Sequence, residues 1–165
     1  MKALTLTQPF ATLVAIGAKH FETRSWSTDY RGPLAIHAAK GLTPVGGAAG
    51  LVQFYWREPF RQALAGAGFS AELDHELPRG AVVAVCDLVY CLPTGEVRED
   101  LTANALADIE GETELAFGDF SPGRYAWRLA NVRMLDKTIA CKGALGLWDV
   151  GAELAGLIDS ALVVA

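Results

Sequence analysis

The run GAKHFETRSW, Gly17 to Trp26, places Lys19, His20, Glu22, Arg24 and Trp26 within one short stretch of an otherwise Ala-, Val-, Leu- and Gly-rich chain. A carboxylate beside an ammonium and a guanidinium can accept hydrogen bonds from a base edge or take a proton. The cations can hold a phosphate or a carbonyl oxygen, and an indole can stack on a base. If His20–Trp26 is extended, Glu22, Arg24 and Trp26 share one face, and Phe21, Thr23 and Ser25 the other. Lys19 lies at the turn before the strand, outside that parity. The same residues also fit an ordinary strand whose Glu and Arg pair weakly with a neighbouring strand.

Further candidates flank this run. Tyr30 and Arg31 precede the turn Arg31-Gly32-Pro33 and are placed to rim a cleft or to shape the loop. His37 and Lys40 in IHAAK end the next strand, and an imidazole there titrates in the working pH range. Arg124 and Tyr125 follow the Ser121-Pro122-Gly123 turn. Gln8 stands where a helix begins, as a cap or beside outward-pointing N–H groups that suit an anion. No His/Cys/Asp cluster has metal-ligand spacing, and no cofactor motif is present.

The elements that must position these groups follow from periodicity. KALTLT alternates as a first strand. TQPFATLVAIGAK predicts a helix with Pro9 in its first turn, an apolar face through Phe10, Leu13 and Val14, and Gly17 in the left-handed position that ends it. HFETRSW and PLAIHA read as strands. The Gly/Ala-rich segment 43–79 reads as helix in two pieces split by Pro59, with glycine joints at Gly46-Gly47 and Gly66–Gly68, and Trp56 as a packing residue. The β-branched run AVVAVCDLVYCL predicts a buried strand. In the strand after Gly123, Tyr125, Trp127, Leu129 and Asn131 share a face. IACKGALGLWDV closes with one or two short strands, Trp127 and Trp148 being core. Residues 151–165 form a helix or tail. The acidic stretch Glu96–Asp119 reads as a solvated loop with a short helix, turning phosphate away from its side.

Composition sets outer limits. The 165 residues are 52% hydrophobic and 20% charged, which suits one folded domain over 1–150. Three cysteines, Cys86, Cys91 and Cys141, read as buried free thiols. No apolar run reaches a membrane span, and MKALTLTQPF lacks the apolar core of a signal peptide, so a cytoplasmic protein with no membrane partner is expected. The net charge of −5 argues against a protein that coats nucleic acid. Residues 1–40, however, carry Lys2, Lys19, Arg24, Arg31 and Lys40 against Glu22 and Asp29, a net of +3 that leaves −8 for the rest. Many short strands with few helices, and no glycine phosphate loop, predict an α+β fold, a compact mixed β-barrel with helices packed around it.

Gly17, Lys19, Glu22 and Arg24 complete the pattern G-x-K-x-x-E-x-R. With LTQPFATLVAIG before it, YRGPLAIHAAK after it, and GRYAWRL and GALGLWDV late in the chain, the sequence resembles the ASCH domain family, a β-barrel similar to the PUA fold. The resemblance implies that the motif lines a basic cleft between the first helix and the barrel, and that single-stranded RNA or a nucleotide, including a modified one, binds there. On that reading Lys19, Glu22, Arg24, Trp26, Tyr30, His37, Lys40 and Arg124 are the ligand-binding candidates. Some members are hydrolases. Those resembling N4-acetylcytidine amidohydrolases carry a threonine where this chain has Glu22; others look like ribonucleases. An enzyme here would rely on Lys19 and Glu22, with water activated by the carboxylate, and on no cofactor. A protein-interaction module with no ligand in the cleft is the remaining alternative.

Overall fold

The computed structural model describes residues 1–41, 47–106 and 108–163. Alternation along two strands sets its layers. In β1 (Lys2–Leu6), Leu4 and Leu6 enter one apolar cluster and Ala3 another. In β3 (Gly32–Ala38), Leu34, Ile36 and Ala38 join the first and Ala35 the second. The two strands pair in parallel with Leu4 opposite Ile36. A parallel pair needs a crossover, and it runs through α1 (Phe10–Ala15) and β2 (Phe21–Arg24).

β4 (Ala81–Pro93), the predicted buried strand, is antiparallel to β3 and to the long β5 (Tyr125–Ala140), and β6 (Leu147–Asp149) pairs with β1. The order is β2-β5-β4-β3-β1-β6. The six strands curl into a half-barrel with helices packed around it, the expected α+β architecture. Register shifts along β4 and β5 increase local twist and bend the ribbon. One such break, Asn131 at φ +51°, interrupts the predicted face: Trp127 and Leu129 are buried, but Asn131 is exposed and donates to Asp87. α1 covers one face of the sheet, against Leu4, Ile36 and Trp127. α7 (Ala152–Val163) packs on the other through Ile158, with Ala35, Val82 and Val85.

Several elements differ from expectation. Residues 43–46, which include Gly46 of the first glycine joint, lie outside the described residues. The remainder of that segment forms three helices rather than two: α2 (Gly47–Tyr55), α3 (Phe60–Gly66) and α4 (Leu73–Glu76), with Pro59 at the α3 boundary as predicted. Trp56 falls past the end of α2 and is 66% exposed, so it is not a packing residue. Among the free thiols only Cys86 is buried; Cys91 and Cys141 are half-buried. No described helix is long and apolar enough to cross a membrane.

The largest correction concerns the acidic stretch. It folds as α5 (Thr94–Thr102) and α6 (Gly111–Ala116); Val97 and Leu101 of α5, Leu115 of α6 and Ile109 between them pack with Phe21 and Ala126. Gly111 is required at the joint, because a Cβ there would lie 2.2 Å from the Leu101 carbonyl oxygen. Glu114 is buried rather than solvated. Its carboxylate accepts the backbone N–H of His20 and of Phe21, each at 2.8 Å. Charge-assisted bonds of this kind are among the stronger ones, and an orphaned buried N–H is costly. Glu114→Ala is therefore expected to lower stability by roughly 2–4 kcal/mol, and Glu114→Gln, which keeps one acceptor oxygen, by less. Urea unfolding midpoints check this; equal midpoints for both variants and the parent would contradict the role.

Candidate functional site

The G-x-K part of the motif is a helix stop that aims a lysine inward. Gly17 at φ +75° donates to the Val14 carbonyl, and Ala18 donates to the Leu13 carbonyl. This is the paired bonding of a Schellman turn, which needs a left-handed residue at that position. The chain reverses there, and Lys19 turns under the helix. It is 1% exposed, so its ammonium must be compensated inside the protein. Nζ donates to the Phe117 carbonyl at 2.7 Å, lies 3.7 Å from Glu22 Oε2, and sits 5.8 Å from the centre of the Phe10 ring.

Glu22 and Arg24 share a face of β2, as the parity predicts. Arg24 Nη1 is 3.5 Å from Glu22 Oε1, so the carboxylate lies between two cations. Burial raises the Glu22 carboxyl above its ordinary range, while Lys19, Arg24 and Arg124 pull the other way. The Arg24 Nε is buried and has no hydrogen-bond partner.

These three motif residues line one cleft of about 420 Å³. Its other walls were not legible in the sequence. Phe10, Phe54 and Phe60 form an aromatic side, with ring centres 5.0–6.1 Å apart. Arg57 stands at that wall with its guanidinium 5.8 Å from the Phe54 ring, and Phe117 to Asp119 form a lip whose Phe117 ring packs on Phe60 at 4.9 Å. The only signal for this wall was the interleaving of aromatics and charge in FYWREPF. Thr23 also contributes to the lining, although parity placed it on the other face. Its hydroxyl accepts the Asp119 N–H, drawing the Gly118–Asp119 lip down to the strand.

The other candidates go elsewhere. β2 ends at Arg24, so Trp26 is past the strand; its ring meets Trp127 edge-on at 4.6 Å and supports Arg24 from 5.9 Å. Tyr30 packs on the first cluster and donates its hydroxyl to the Pro33 carbonyl. Arg124 donates to the Thr23 and Asp119 carbonyls and so ties the lip to the strand end. His37 and Lys40 line a different cleft. Gln8 is fully buried; it accepts the Thr12 N–H and donates to the Pro78 carbonyl, acting as a cap. Among the described residues, no group of three or more His, Cys, Asp or Glu is arranged to hold a metal ion.

Breaking a buried ion pair from one side strands the other charge, whereas removing both charges costs less. Lys19→Met is expected to cost about 3–5 kcal/mol, and Lys19→Met with Glu22→Gln clearly less than the sum of the single changes. Because burial raises Glu22, the folded chain binds that proton more tightly than the unfolded chain. Its contribution is complete below about 4.5 and is lost as pH rises through the raised value. Glu22→Gln should flatten the fall in stability across that window. Denaturation at several pH values checks both expectations, and additive single changes would contradict the pairing.

The comparisons with known proteins agree with this geometry. The ASCH domain matches residues 4–139. The mouse (Mus musculus) protein activating signal cointegrator 1 is 31% identical over 114 residues; the match takes in 69% of this chain and 17% of that much longer relative. The crystal structure of ASCH from Zymomonas mobilis superposes with a TM-score of 0.54 at 12% identity, covering 96% of this chain and 93% of the other. A single-residue variant of the same protein gives 0.53 at 12% identity, covering 96% of each chain. The motif cleft, the half-barrel and the matched span together show that this chain belongs to the ASCH domain family.

Proposed function

We propose that the motif cleft binds one nucleotide of a single-stranded RNA. The observation that carries this reading is the Arg24 guanidinium at the cleft, with its Nε buried and unpartnered, facing an aromatic wall across a carboxylate. A buried donor without an acceptor costs free energy that an incoming oxygen recovers. Arg24 and Arg57 take phosphate or carbonyl oxygens. Lys19, with one N–H placed on the Phe117 carbonyl, offers the remaining donors. Glu22 accepts from the amino group of a base, and the base lies along Phe10 and Phe54. The stacking expected of Trp26 or Tyr30 thus passes to residues from α1 and α2. The association of the ASCH family with RNA binding supports this reading.

The position of Glu22 favours one second reading. A carboxyl whose affinity for a proton is raised, set between two cations, suits a general base. In an amide hydrolysis Glu22 would take a proton from water, and the hydroxide would add to the acyl carbon. The C–N bond would break with the proton passing to the departing amine, while Lys19 or Arg24 holds the oxyanion.

Titration calorimetry with 5′-CMP and a mixed-sequence RNA decamer tests the first reading. Arg24→Ala is expected to weaken both at least about tenfold, the loss of a charge-assisted bond. Absence of binding to both ligands by the parent protein would overturn it. The second is tested by the mass of a decamer carrying one N4-acetylcytidine. Loss of the acetyl group, abolished in Glu22→Gln while binding persists, would establish it, and an unchanged mass would remove it.

A further inference from the structure

A second cleft, of about 850 Å³, opens where β3 ends, β4 begins and β5 ends. The pairing register explains its chemistry. Ala38 is opposite Ala81, and Ala81 is opposite Ala140. Lys40, Arg79 and Lys142 each lie two residues beyond one of these paired alanines. The ladder continues outward through Gly80 N–H to the Ala38 carbonyl at 2.8 Å and Cys141 N–H to the Gly80 carbonyl at 3.0 Å. Three neighbouring strands therefore each deliver one cation to the same end of the sheet, on strands about 5 Å apart. Among the described residues that line this cleft none carries a carboxylate, in a chain whose net charge is −5.

The floor is equally unusual. His37 is 2% exposed, its Nε2 lies 3.2 Å from the Cys141 carbonyl oxygen, and its Nδ1 is buried without a partner. Burial holds the imidazole below its ordinary range, so it adds a dipole rather than a charge. The loop after β5 closes over it at Gly143, where a Cβ would lie 2.5 Å from His37 Nδ1. That close packing lets the backbone carry Lys142 to the rim. Thr5 lines both this cleft and the motif cleft, so the two share a wall at the end of β1.

We infer that the second cleft binds the phosphate backbone of the same RNA strand whose nucleotide occupies the motif cleft, through Lys40, Arg79 and Lys142. The inference rests on the reading above and deepens it: the full ligand is an oligonucleotide, and a mononucleotide such as 5′-CMP fills the motif cleft alone. The motif cleft supplies contacts to a base, and the second cleft supplies charge. Backbone contacts of this kind release counterions, so they appear as a salt dependence that a mononucleotide lacks.

The test compares parent protein, Lys40→Ala/Lys142→Ala and the control Arg133→Ala/Lys137→Ala, which removes two exposed cations from elsewhere on β5. A fluorescein-labelled mixed-sequence RNA decamer is titrated by anisotropy from 50 to 300 mM salt, and 5′-CMP by calorimetry. Loss of the two cleft lysines is expected to weaken the decamer about tenfold at low salt and to reduce the log–log salt slope by about 1.4, roughly 0.7 per phosphate contact. Binding of 5′-CMP and the thermal midpoint stay unchanged. An unaltered decamer affinity and slope with 5′-CMP still bound would overturn this inference and leave the motif-cleft reading standing. So would an equal loss in the control, which would trace the effect to net charge alone. Failure of the parent to bind either probe would overturn both.

Discussion

The cleft depends on what satisfies the free side of a four-residue edge strand. Among the described strands β2 pairs only with β5, and Glu114 accepts the consecutive N–H groups of His20, just before the strand, and Phe21, its first residue. An open strand edge invites pairing with other chains, and covering it is a common structural remedy. Here the cover is a buried carboxylate rather than another strand. It brings α6 and the following lip onto the strand. The Phe117 carbonyl then reaches Lys19 and the Asp119 N–H reaches Thr23. Without that attachment, the ammonium of Lys19 would lose its one direct hydrogen bond inside the protein.

The motif residues divide the remaining work by physical type. Gly17 supplies a backbone conformation that turns Lys19 inward. Lys19 and Arg24 keep a buried carboxylate from standing alone, and Glu22 in turn keeps two cations near a largely aromatic wall. Each charge makes the burial of the next affordable. The result is a cleft rich in donors, with buried charges and bounded by rings on one side, a setting in which polar contacts to a ligand are strengthened. The nearly perpendicular packing of Trp26 on Trp127 serves this arrangement from behind, by supporting the guanidinium of Arg24.

Local pattern was a good guide wherever an element answers to its own period. The β1 alternation, the α1 stop at Gly17, the β-branched β4 and the shared face of Glu22 and Arg24 were all legible. It was a poor guide to the acidic stretch. Composition there suggested solvation, yet Glu114 differs from its exposed neighbours Glu110 and Glu112 only in which way its helix turn faces. Trp26 and Tyr30 were legible as aromatics near the motif, but their packing depends on where β2 stops and where the next turn falls. His37 and Lys40 were legible as chemistry-bearing residues at a strand end. Their separation from the motif cleft depends on the pairing register, which sets the end of β3 beside the start of β4 and the end of β5, with Thr5 of β1 as the shared wall.

What the sequence by itself determined is the identity of the family, from motif blocks in order along the chain, and most strands and the trio Lys19, Glu22 and Arg24, because each of these rests on spacing within a single segment, where helix and strand periods act directly. Tertiary structure alone decided the aromatic wall, the Glu114 attachment and the alignment of Lys40, Arg79 and Lys142. Those contacts join residues tens of positions apart. They are set by pairing register and helix docking, which local propensity does not encode.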